Sequence, residues 1–257
     1  MFDTYFTHGP EDGKEYGRCA ALIDGMQADL LHSRSATPGS LVAELDIQYA
    51  GSDPTPSLLL RNALEHAVHN LQFVTLTLEK FGGHSIPVTT LMSAIRTSLL
   101  GASHLAYVVS DTDLSTAAQR MGSLYQLESK SARKFVKQID SPAARRLMPG
   151  MCPPPGSTVR SLAAYDPPHK TSGQLNESTL LDNLKTVVLP GVITATGHDP
   201  DYAQIMVDHL FNTTSGAAHG YGWINTDGVV AHVVAQLSFS TTTANIVFNH
   251  YFAALDS

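Results

Sequence analysis

Four polar groups stand at helical spacing late in the chain: Asp208, Asn212, Ser215 and His219, in Asp208-His-Leu-Phe-Asn-Thr-Thr-Ser-Gly-Ala-Ala-His219. Offsets of four, three and four put them on one stripe of a helix, with Ile205, Phe211 and Ala218 on the opposite face. A polar stripe ending in a histidine on an otherwise apolar helix is a candidate catalytic site, because histidine exchanges protons near neutral pH. His219 would then be central, with Ser215, Asn212 and Asp208 supporting it. The structural alternative makes His219 a cap or a hydrogen-bonding group across a bundle.

A second constellation joins Arg61, Glu65 and Arg96. Arg61 and Glu65 are four apart and face the same way, and Arg96 lies on the helix expected to neighbour theirs. Charges on such apolar helices must be paired, since an isolated buried charge is very costly. Glu65 is accordingly read as part of a structural ion pair. The functional alternative is an anion pocket in which Arg61 or Arg96 supplies positive charge.

Histidine is the third signal, with 12 in the chain. Glu65-His66-x-x-His69 puts Glu65 and His69 one turn apart, and His104 or His209 would be needed to complete a helix-bundle metal site. The repeated Glu-x-x-His that a di-iron bundle requires does not occur. No metal and no cofactor are expected, and a metalloprotein is the least favoured reading. Cys19 and Cys152 are the only cysteines, which excludes a disulfide framework and a four-cysteine zinc site. There is no Gly-rich phosphate loop and no nucleophile elbow.

Composition limits the partners. The net charge is −7, with 16 basic and 23 acidic residues, and charged residues make up only 15% of the chain. That balance excludes a mostly disordered chain and a general nucleic-acid coat protein. The charge is unevenly placed: residues 120–170 hold nine basic residues against three acids, and no Lys or Arg follows Lys185. Such a segment is either a surface for an anionic partner or a solvated helix face followed by a basic linker.

The elements that must position these groups read as helices. Residues 1–14 read as a loose leader, with a first helix from about Glu15 to Arg34. The turn-rich Ala50–Pro56 stretch precedes a helix from about Leu58 to Lys80, apolar almost all round and therefore placed at the centre of a bundle. A short loop leads to a helix from Val88 to Val109 that carries one charge, Arg96, so the pair forms an antiparallel central hairpin. Asp111 or Asp113 caps a helix to about Ile139. Residues 141–173, rich in Pro and Gly, read as a long loop. Helices follow from Ser178 to Leu189, ending at Pro190-Gly191, and from Pro200 to about His219. Val229 to Leu255 carries no formal charge, but Gln236, Asn245, Asn249 and a Ser/Thr run argue against a membrane span. It reads as a buried core helix with one face serving a homodimer. The expected fold is all-α, a single bundle-like domain over residues 1–257.

Asn212-x6-His219-Gly220, near the end of an all-helical chain and followed by an apolar helix, resembles the HEPN superfamily. It is closest in pattern to uncharacterised, abortive-infection-like bacterial proteins whose late helix reads roughly Tyr-Arg-x-x-Ser-x-x-x-His-Gly. Leu59-Leu-Arg-Asn-Ala-Leu-Glu-His66, followed by a helix with a lone Arg96, resembles their central hairpin. The resemblance implies a metal-independent ribonuclease in a defence or toxin setting, in which His219 acts on the 2′-hydroxyl and an arginine binds the scissile phosphate at a dimer interface. This chain has Asn212 where that arginine stands, and asparagine lacks the charge that makes arginine effective on phosphate. Expected partners are RNA or another anionic ligand and a second copy of the chain, with no membrane, in the cytoplasm. The competing expectation is a non-catalytic interaction or scaffold protein that kept the bundle and lost the chemistry.

Overall fold

The computed structural model describes residues 10–32, 34–81, 88–111, 113–169, 175–218 and 229–257. The chain is all-α: among the described residues there are eleven α-helices, one 3-10 turn and no strand. In chain order they are α1 (Pro10–Leu31), α2 (Leu41–Gln48), α3 (Pro56–Phe81), α4 (Val88–Val109), α5 (Leu114–Ile139), α6 (Pro142–Leu147), the 3-10 turn Pro149–Met151, α7 (Thr158–Ala164), α8 (Glu177–Val187), α9 (Leu189–Thr196), α10 (Pro200–Ala218) and α11 (Val229–Asp256).

The centre of the bundle is α4, which packs against α3, α5, α8, α10 and α11. Leu91, Met92, Ile95, Leu99, Leu105 and Val108 are all buried on it, as its near-absence of charge requires. The sequence placed α3 at the centre, and the structure corrects this. One face of α3 is buried through Leu60, Leu64, Val68, Leu71 and Val74, but Leu58, Phe73 and Leu76 are exposed. Neighbours of α3 lie on one side only, so its apolar outer positions stay uncovered. Closest approach to α4 occurs at Gly101, where a Cβ would stand 2.6 Å from the Ala63 carbonyl oxygen.

The second buried helix is α11, which packs against α1, α3, α4 and α9. Its Ser/Thr run lies in the core, and two of the hydroxyls bond to carbonyls one turn back: Thr242 to Ser238 at 3.0 Å and Thr243 to Phe239 at 2.9 Å. Among the described residues of α11, Ala235, Asn249, Ala253 and Asp256 are exposed. No helix among the described residues is long and apolar enough to cross a membrane.

Four further segments differ from expectation. Helix α1 starts at Pro10, inside the expected leader, and α2 forms where no helix was foreseen, capped by Ser40 through the Ala43 amide at 3.4 Å. Pro190 does not stop a helix; it occupies the first turn of α9, where its missing N–H costs nothing. About half of the 141–173 segment is folded as α6, the 3-10 turn and α7, with α6 and α7 against α5. The lock is Arg160, whose guanidinium donates to both Asp140 carboxylate oxygens at 2.8 and 2.6 Å and to the Pro153 carbonyl at 2.8 Å. Burial joins every helix except α6 in one apolar core, from Tyr16 and Ile23 to Val247 and Leu255.

Candidate functional site

Helix α10 begins as the sequence demands. The Asp199 carboxylate accepts from the Asp201 and Tyr202 amides at 2.9 and 3.2 Å, and Pro200 needs no N–H there. Ala203, Val207 and Leu210 are buried against the bundle, and Asp208 and Asn212 are exposed. Asp208 accepts a salt bridge from Lys185 of α8, which also lies 4.0 Å from Asp182. Ser215 belongs to the last turn of α10 by register, and His219 lies outside the described residues. So the stripe begins as an ion pair with α8 and continues at exposed Asn212.

Arg96 of α4 meets this helix from below. Its guanidinium carbon stands 5.2 Å from the centre of the Phe211 ring, one residue before Asn212. Its Nη2 donates to Glu177 at 2.7 Å, while its Nε is buried with no hydrogen-bond partner among the described residues. Glu177 sits in the first turn of α8, where a carboxylate also complements the positive helix end. Sequence reasoning missed both Glu177 and Phe211 as partners of Arg96. The available signal was Asn176-Glu-Ser-Thr179, a helix start in which Asn176 accepts from the Thr179 amide at 2.9 Å.

Arg61 is elsewhere. It donates to Glu65 at 2.8 Å and to the Leu30 carbonyl at 3.3 Å, beside Tyr251 and Phe252. The three charges expected to form one network are two separate pairs, Arg61 with Glu65 and Arg96 with Glu177. Of the two arginines, Arg96 is the one the fold sets against α10.

The histidines divide in the same way. His66, His69 and His209 are exposed, and His66 with half-buried His104 lines a cavity of about 510 Å³ between α3, α4, α5 and α7, together with Asn62, Thr97 and Glu128. Burial pushes the Glu128 carboxyl above its ordinary range, partly opposed by the positive charge of His66. Burial also pulls the His104 imidazole down, opposed by Glu177. Both groups therefore favour their neutral forms, and the walls around them are mainly apolar. Among the described residues no three His, Cys, Asp or Glu side chains are placed to share a metal ion. Glu128 gave no sign in the sequence beyond being a lone acid on a basic helix. Comparison with family models, curated proteins and solved structures finds no match to this chain.

Proposed function

We propose that this chain is a HEPN-like helical bundle that binds RNA or a related anionic ligand along α10, in the cytoplasm and as a homodimer, and cleaves it without a metal through His219. The observation that carries the reading is Arg96: a guanidinium resting on Phe211 of α10, its Nε without a partner among the described residues, against the helix whose polar stripe lacks an arginine of its own. A cation supplied from α4 takes the place of the one missing at Asn212. Support for an antiparallel α3–α4 hairpin comes from the short connection: only residues 82–87 separate the end of α3 from the start of α4, and Gly101 of α4 lies against Ala63 and Ala67 of α3. His219 accepts the proton of a 2′-hydroxyl; the freed oxygen attacks the adjacent phosphorus, the cyclic phosphate forms, and the 5′-oxygen leaves with a proton from water. Ser215, Asn212 and Asp208 orient the histidine and the ligand.

A second reading, a non-catalytic interaction protein, is favoured by one observation: Asp208, Arg96 and Arg61 are each neutralised within the chain, by Lys185, Glu177 and Glu65. RNA cleavage in EDTA separates the two. The ribonuclease reading expects cleavage by the wild type and none by a folded His219→Ala protein. No cleavage by either protein leaves the interaction reading.

A further inference from the structure

We infer that the exposed face of the second half of α5, with α6 and the 3-10 turn, is a peripheral docking surface for an anionic lipid bilayer. One face of α5 is buried through Met121, Leu124, Tyr125, Ala132 and Ile139, and the other face of its second half lies in water. Lys130, Arg133, Lys134 and Lys137 then fall at offsets of three, four and seven, which is one stripe, and all four are exposed. The chain turns back at Asp140, and exposed Arg145 and Arg146 follow on α6. Arg145 lies 3.3 Å from Asp140, and Cys152 donates to the Ile139 carbonyl at 3.4 Å, so the turn-back segment sits against the end of α5. Lys130, Arg133, Lys134, Lys137 and Arg146 have no carboxylate partner among the described residues.

The cations are accompanied by apolar side chains that the fold leaves in water. Leu147 is 71% and Met151 64% exposed, and Met148 and Phe135 are also exposed. A run of unpaired cations in a chain of net charge −7 calls for an anionic partner. An RNA backbone would satisfy the cations and leave Leu147, Met148 and Met151 hydrated. A bilayer interface satisfies both: phosphate headgroups take the guanidinium and ammonium groups, and the leucine and methionines enter the acyl boundary. Since no described helix is long and apolar enough to cross a membrane, the contact is peripheral.

The test is co-sedimentation of the full chain with vesicles of phosphatidylcholine alone and of phosphatidylcholine with phosphatidylglycerol, at low and high salt. Binding is expected only to the anionic vesicles and to weaken with salt. Lys134→Gln and Arg146→Gln should each lower partitioning about fivefold, and the double variant Leu147→Ser, Met151→Ser should lower it further at unchanged charge. All these positions are exposed, and circular dichroism checks that each variant is folded. Equal binding to both vesicle types, no binding to either, or a Leu147→Ser, Met151→Ser protein that partitions like the wild type overturns the proposal. So does RNA binding that is weakened by Lys134→Gln and Arg146→Gln while vesicles are ignored. None of these variants touches Arg96 or His219, so the outcome is independent of the ribonuclease test.

Discussion

Replacing Gly101 by alanine tests the packing that sets Arg96 against α10. The added Cβ would stand 2.6 Å from the Ala63 carbonyl oxygen, 3.2 Å from the Ala67 amide nitrogen and 3.4 Å from the Ala67 Cβ. Ordinary contact begins near 3.4 Å, so α3 and α4 must separate locally by about 0.8 Å. The nearest obstacle is backbone, which no rotamer change removes. Overpacking against backbone falls in the upper part of the usual range, about 2–3 kcal/mol, and the gain from replacing a mid-helix glycine offsets about 1 kcal/mol of it. The net loss is roughly 1–2 kcal/mol, which lowers Tm by roughly 2–8 °C in a chain of this length. Gly25→Ala in α1 is the matched control: its Cβ would meet nothing within 4 Å, so only the helix-propensity gain remains and Tm should rise. Thermal melts followed by far-UV circular dichroism measure both. A Gly101→Ala protein that melts at or above the wild-type temperature would refute the close approach of α3 and α4.

Glu128→Gln should stabilise the protein at neutral pH. Because burial raises the folded-state pKa, the stability this carboxyl contributes is present below its unfolded value, about 4.3, and is lost as pH rises through the folded value. The advantage of the glutamine variant should therefore be near zero in acid and grow toward neutral pH; a pH-independent difference counts against a buried, uncompensated carboxyl. His104, with its pKa lowered, carries the opposite sign: its contribution is present above about 6.5 and is lost as pH falls. Glu177→Gln removes the carboxylate that neutralises Arg96 and should tighten RNA binding severalfold in a fluorescence titration; weaker binding would place Glu177 on the ligand side instead. Arg160→Ala removes the contacts to Asp140 and Pro153 that hold the 141–164 segment, so limited proteolysis should cut there faster while the far-UV spectrum is kept.

The boundaries of α4, α5, α10 and α11 were legible because local chemistry decides them. Val88 follows a proline, Asp113 accepts from the Thr116 amide at 2.9 Å, and Val229 to Leu255 has no charge to interrupt burial. What escaped was decided at a distance. Pro190 punctuates a sequence equally well as a stop and as a first turn, and only packing beside α8, α10 and α11 selects the start of α9. Composition made residues 141–173 look like a loop; the ion pair that folds them links Asp140 to Arg160, a pairing spacing does not encode. The same limit applies to the candidate site. The Arg61–Glu65 pair is local and could be read from an offset of four, whereas Arg96 finds Glu177 across 81 residues. Glu128 was invisible for a related reason: burial of a lone acid on a basic helix is a property of its neighbours α4 and α7.

The central claim is that Arg96, and not Arg61, supplies the cation for an anionic ligand on α10. It is tested most directly by titrating labelled RNA with the wild type, Arg96→Ala and Arg61→Ala proteins over a range of salt concentrations. If Arg96 holds a phosphate, its removal weakens binding across sequences and reduces the salt slope by about one, while Arg61→Ala binds like the wild type. Equal effects of the two substitutions, or an Arg96→Ala protein with unchanged affinity and slope, would contradict it.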